Sequence, residues 1–316
     1  MSIRKKIVYA VVLSGILIAL FLCIGVNANN WEYVLSRRIP RVIAIIITGG
    51  AIAFSSMIFQ TVTNNRILTP SVLGLDSLYV FIQTFVVFLF GAKNLTVANN
   101  NVNFIISVSL MIVFSMALYK VMFKLGNSNI LFLLLVGLIF GTLFQSLSSF
   151  MQLLIDPNEF AVIQDRMFAS FNSINLKILL MSVVIVILVI GYTYGYVKIL
   201  DALSLGREQA INLGVEYDRV VKKMLIVISI LVSVSTALVG PITFLGLLVV
   251  NLSREFLNTY KHKYLLTYSI LISIVALVGG QLVIERVMNF NTPLSVVINF
   301  VGGVYFIYLL LKESKA

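Results

Sequence analysis

The chain has 316 residues; 60% are apolar, only 11% are charged, and the formal net charge is +11. A soluble domain carries about 25% charged residues, and here the apolar residues fall in blocks of roughly 18–25, the length a helix needs to cross a hydrocarbon layer. The short alternating segments of a membrane barrel are absent, the basic excess is read as marking cytoplasmic loops rather than nucleic-acid binding, and one cysteine, Cys23, excludes a disulfide framework.

The first apolar block, about 7–26, follows Arg4, Lys5 and Lys6. Val26-Asn27-Ala28 resembles a signal-peptide cleavage site, but the block is long enough to span and more spans follow, so it is read as a retained helix. The second span, about 42–61, comes after Ser36-Arg37-Arg38-Ile39-Pro40-Arg41. Its Thr48-Gly49-Gly50-Ala51, Ser55-Ser56 and Gln60 predict tight helix packing, with a place beside the transport path as the second option. The third and fourth spans are placed at about 71–90 and 103–122.

The fifth, 130–154, carries Thr142, Gln145, Ser149 and Gln152 at three- and four-residue steps, which puts them on one helix stripe with Ser148 beside it. Polar groups are costly against lipid, so this stripe meets either protein, as interhelical glue, or water, as a pathway lining. Gly137 and Gly141 on the same span permit close helix approach. The sixth span, about 177–197, leads into a polar stretch, 198–223. The last four spans are expected at about 221–239, 242–252, 265–284 and 294–311. The eighth is short, begins with Gly240-Pro241, and can continue as an amphipathic helix through Arg254.

The predicted fold is therefore an all-α polytopic membrane protein of about ten transmembrane helices, a single membrane domain over 1–316. With the N-terminus inside, sixteen of the 23 Lys and Arg residues fall on cytoplasmic segments, which predicts both termini cytoplasmic. Arg37, Arg38 and Arg41 are exceptions crowded at one outside position.

The missing chemistry is informative. No Gly-Lys dipeptide is present, so there is no P-loop. One His and one Cys give no cluster for a transition metal, and His262, in a basic loop, is expected at the surface. Asp76 and Glu285 lie near span ends, whereas ion-coupled carriers place ionisable groups at mid-membrane. No catalytic set is found. The chain is read as no enzyme, with no cofactor of its own, and energy for transport must come from a partner.

Several stretches then share the order and spacing of one family. Arg38-Ile39-Pro40-Arg41, a small-residue helix leading to Gln60, and Asn65-Arg66-Ile67-Leu68-Thr69-Pro70-Ser71-Val72-Leu73-Gly74 come first. Leu203-Ser204-Leu205-Gly206, Ala210, Leu213-Gly214, the run GPITFLGLLVVNLSR and the closing PLSVVINFVGG follow. Together they resemble the permeases of binding-protein-dependent ABC importers for iron–siderophores, haem and cobalamin. The departures are Arg66 for the family's Pro, Arg207 before Glu208 where Glu commonly follows the Gly, Val250-Asn251 for Pro-His, and Leu294-Ser295 for Val-Gly.

The resemblance implies type II ABC importer permease architecture in the cytoplasmic membrane of a bacterium. It implies a second permease (a heterodimer, with a homodimer as the alternative), cytoplasmic ATPase subunits that bind the ATP, an extracytoplasmic siderophore-binding protein, and ferric siderophore as cargo. Haem or cobalamin are the alternatives within that class, and an ion-coupled secondary transporter is the alternative outside it. Arg38, Arg41 and Arg286 would dock acidic residues of the binding protein; head-group contact or a loop cap is the other reading. Residues 201–216 would be the ATPase coupling segment, with Leu205, Gly206, Arg207, Glu208, Ala210, Ile211, Leu213 and Gly214 in contact and Val215 adding apolar surface. Gln60, Thr142, Gln145, Ser149 and Gln152 would line the path, and Asn127, Ser128 and Asn129 would form an inner gate.

Overall fold

A computed structural model describes residues 2–27, 30–91, 99–125, 130–290 and 292–313. The described chain is helical throughout: α1 (Ile3–Cys23), α2 (Trp31–Val62), a 3-10 turn (Pro70–Leu73), α3 (Leu75–Phe90), α4 (Asn100–Leu125), α5 (Ile130–Leu154), α6 (Pro157–Met167), α7 (Leu176–Tyr194), α8 (Val197–Leu203), α9 (Arg207–Asn212), α10 (Tyr217–Val239), α11 (Leu245–Leu257), α12 (His262–Arg286) and α13 (Leu294–Glu313). Eight of these helices are long and apolar enough to cross a membrane, and α3 is a shorter apolar helix. Each of the ten anticipated blocks coincides with a helix, though α11 has only 13 residues.

Two boundaries differ from the sequence reading. Helix α2 starts at Trp31, eleven residues before the expected 42, so the arginine cluster is helical rather than a preceding loop. Pro40 lies inside it; its missing N–H deprives the Ser36 carbonyl of one intrahelical donor but does not end the helix. Helix α11 starts at Leu245 rather than 242 and runs past Arg254, as the amphipathic alternative had it. Gly240 precedes it at φ 100°, and any Cβ there would lie 2.9 Å from the Phe168 carbonyl oxygen.

Small residues place α2 at the centre. Of its apolar window 78% is buried, against 72% for α10, 17% for α1 and 22% for α13, so the last two form the rim that faces lipid or a partner. A methyl group on Gly49 would run into Ser273 and Leu277 of α12, and one on Gly246 of α11 into Ser56. The Gly137/Gly141 pair receives the 3-10 turn: a Cβ on Gly137 would lie 2.9 Å from Leu73 Cα, and Gly74, at φ 77°, sits against the backbone of both glycines. Helix α6 caps the far end of α3 through Ile163 packed on Val87. Its Arg166 donates to Gln83 Oε1 at 2.6 Å, while Gln83 Nε2 donates to Asn103 and Ser107 of α4.

The contacts sort the molecule into two ends. At one end, Lys6 of α1 donates to the Phe256 carbonyl of α11, and the end of α2 meets the start of α12. At the other, the end of α1, the start of α2 and the end of α12 converge on three arginines.

Candidate functional site

The arginine cluster is built around the exposed C-terminus of α1. The last carbonyls of a helix lack intrahelical donors, and Arg38 supplies one nitrogen to Leu22 O at 3.1 Å and Ile24 O at 2.7 Å. Arg286 donates to the same Ile24 oxygen at 2.9 Å. Cations at this position are also favoured by the helix dipole. Arg41 pairs with Glu285 at 3.1 Å and donates to Asn172 O at 2.9 Å; Gln281 donates to the same Glu285 oxygen at 3.2 Å. The three arginines are thus brought together, but their guanidinium groups already join α1, α2 and α12, the geometry of the loop-cap alternative. Arg37, noted in the sequence as one of the crowded outside arginines but not among the docking positions, is exposed and rests over the Tyr33 ring, its centre 4.9 Å away. Only its neighbours' motif match had directed attention past it.

At the opposite end, 197–216 is a pair of short helices separated by glycines. Gly206 and Gly214 adopt φ 97° and 82°, a region that favours glycine and allows sharp turns. Leu205, Ile211 and Leu213 present exposed side chains, and so do Arg207 and Glu208. Ala210 has no exposed area, so its side chain is not part of the surface that Leu205, Ile211 and Leu213 present. Arg207 leans on α10, 3.7 Å from Asp218 and over the Tyr217 ring.

His262 corrects the surface expectation most sharply. It has no exposed area. Its Nδ1 lies 2.7 Å from Asp201 Oδ1, and its backbone N–H donates to that same oxygen at 2.7 Å. Its Nε2 lies 2.7 Å from Thr61 Oγ1. With Nδ1–H donating to the carboxylate, the neutral ring presents Nε2 to the Thr61 hydroxyl, whose single proton is shared with the Met57 carbonyl 2.9 Å away. The imidazole therefore ties the end of α2 to the start of α12 and to α8, the helix that leads into Gly206 and α9. Asp201 also caps α12, which no local capping pattern reveals because 61 residues separate the partners.

On α5, Thr142, Gln145 and Ser149 are exposed together, while Ser148 is buried and returns its hydroxyl to Phe144 O. Gln152 turns inward and donates to Thr84 Oγ1 at 3.3 Å. The stripe is thus three exposed residues, with Gln152 serving as a tie to α3. Gln60 lies elsewhere: it lines a cavity of about 780 Å³ with Arg66, Ser204, Leu205, Asn251, Arg254 and their neighbours. The gate positions Asn127, Ser128 and Asn129 fall outside the described residues. Among the described residues no group of three or more His, Cys, Asp or Glu side chains is placed to hold a metal ion.

Comparison with known proteins adds the family context. A model described as the FecCD transport family matches residues 4–312. The petrobactin import system permease protein YclO of Bacillus subtilis (strain 168) is 64% identical over 313 residues, covering 99% of both chains. The petrobactin import system permease protein FatC of Bacillus anthracis is 36% identical over 290 residues, covering 92% of this chain and 82% of the relative. A solved structure described as an inward-facing metal-chelate type ABC transporter superposes with a TM-score of 0.83 at 24% identity, over 98% of this chain and 100% of that one. At that identity the likeness speaks to the fold.

Proposed function

The chain belongs to the FecCD transport family, and from that premise we propose that it is the membrane permease subunit of an ATP-driven importer of ferric siderophore, with petrobactin as the cargo. The observation that carries this reading is the 64% identity to a petrobactin import permease along almost the whole length of both chains. The molecule is a transport subunit and relies on a partner for ATP hydrolysis. The reading places it in the cytoplasmic membrane, with ten helices traversing the bilayer and the end that carries Lys6, Arg66, Arg207 and Lys261 in the cytoplasm, where basic residues concentrate.

Uptake of labelled iron by a strain lacking this gene tests the cargo. Ferric petrobactin uptake is expected to fall at least tenfold and to return on complementation, with haem and cobalamin uptake unchanged. Loss of haem or cobalamin uptake instead would reassign the cargo within the class.

Each end of the molecule receives a task. The segment 201–216 engages the ATPase through Leu205, Ile211 and Leu213, because an exposed apolar trio on a rigid, glycine-bounded element is a surface that calls for a partner. At the other end, Arg37 gives the binding protein an exposed cation, and Arg38, Arg41 and Arg286 hold the platform on which it sits. Arg suits such docking because its planar fork matches a carboxylate.

A second permease packs beside α5, and Thr142, Gln145 and Ser149 line the path between the two. A large chelate needs passing hydrogen bonds rather than a tight cage. In a Cys23→Ser background, Thr142→Cys, Gln145→Cys and Ser149→Cys should react with a membrane-impermeant thiol reagent and be shielded by cargo, while Leu153→Cys, exposed on the same helix, should not be shielded by it. Protection of all three stripe positions in every transport state would assign them to interhelical glue.

A further inference from the structure

We infer that the cavity between the end of α2, α8, α11 and α13 is a binding site for a small oxygen-rich anion of the carboxylate or phosphate class. Its volume, about 780 Å³, is in the range of small-molecule sites, roughly 300–1,000 Å³. Gln60, at 2% exposure, lines it, and neither its Oε1 nor its Nε2 has a hydrogen-bond partner. A buried amide without partners is costly, so Gln60 gains a partner when its side chain turns toward a ligand in the cavity. Arg254 lines the same space with its Nε likewise unpartnered, and its NH2 nitrogen only 3.4 Å from Met57 sulfur.

Arg66 adds a second guanidinium and forms no ion pair among the described residues. The turn that carries it is fixed from across the cavity: Asn251 Nδ2 donates to the Arg66 carbonyl at 3.0 Å. Arg66 and Asn251 are two of the positions at which this sequence departs from its family's motifs, where Pro and His are usual, and the structure brings the two departures into contact. Two arginines in one lining, outnumbering the single carboxylate Glu255, suit a bidentate oxyanion. Arg66 and Asn251 make the site depend in part on residues particular to this chain, and it stands whether or not petrobactin is the cargo.

Equilibrium binding of radiolabelled citrate and inorganic phosphate to the assembled transporter in nanodiscs tests it, in phosphatidylcholine alone and with added phosphatidylglycerol. Binding of either probe in neutral lipid, weakened by salt and reduced at least tenfold by Arg66→Gln and by Gln60→Leu, is the expected result for a soluble anion. Phosphatidylglycerol that displaces the probes, or that is retained by the wild type and lost from Arg66→Gln, identifies a lipid head group as the source. Without anion, Gln60→Leu should keep or raise the melting temperature, since it removes an unpaired buried amide. Absence of both probe binding and selective lipid retention, binding indifferent to both variants, or a marked fall in the melting temperature of anion-free Gln60→Leu would overturn the site.

Discussion

His262→Ala is expected to destabilise the permease by about 2–4 kcal/mol, since it empties a fully buried ring site and removes both of the ring's hydrogen bonds to other helices. Thr61 loses the ring at Nε2, Asp201 loses it at Nδ1, and α12 keeps only the backbone half of its cap. Reversible unfolding in mixed micelles checks the magnitude. His262→Gln, whose amide can still donate to Asp201, should recover part of the loss, whereas His262→Leu should not. Because the same ring joins α8 to α2, iron uptake per assembled transporter should fall more in His262→Ala than the amount of assembled transporter does. A variant as stable as wild type would show that the two ring contacts at 2.7 Å contribute nothing net.

The second large effect belongs to the segment 201–216, proposed above to engage the ATPase. Ile211→Asp combined with Leu213→Asp should leave the permease in the membrane yet abolish its association with the ATPase. Fully burying an aliphatic side chain contributes roughly 1.5–3 kcal/mol, so losing two from an interface costs about 3–6 kcal/mol, a hundredfold or more in affinity. Co-purification of the ATPase with tagged permease measures this, with ferric-siderophore uptake expected to fall in parallel. Ala210→Asp makes an instructive contrast. Ala210 has no exposed area, so a carboxylate there should disrupt α9 itself and lower the amount of folded permease. Normal ATPase capture by the double variant would place the partner elsewhere.

Much of this architecture was legible in the sequence for a simple reason. Lipid demands about twenty apolar residues per crossing, and that demand is written locally, so the apolar blocks and their order could be read directly. The Gly137/Gly141 pair and the turns at Gly206 and Gly214 were legible too, because close approach and positive φ restrict residue type. What could not be read depends on partners remote in sequence. The His262 position looked like a solvated basic loop, since it is flanked by Lys261 and Lys263, while Thr61 and Asp201, which make its burial tolerable, lie 201 and 61 residues away. Arg38 and Arg286 looked like free docking groups because their acceptors are backbone carbonyls at the end of α1, which leave no mark on side-chain patterns. Pro40 and the arginines around it resembled a boundary, yet packing carries α2 through them.

Gln60 shows the same limit from the other side. Its motif position pointed to a transport path; the structure places it not on the exposed stripe of α5 but in one cavity lining with Arg66 and Arg254. Sequence spacing orders residues along a helix; it does not say which space a helix end faces.

The central claim is that this chain moves ferric siderophore with energy drawn from ATP on a partner subunit. Proteoliposomes holding the permease, its partner permease and the ATPase, with binding protein and ferric petrobactin outside, test it most directly. Iron should accumulate when ATP is sealed inside and no ion gradient is imposed, and should stop when the ATP is replaced by a non-hydrolysable analogue. Accumulation driven by a proton or sodium gradient in vesicles without ATP would contradict the account.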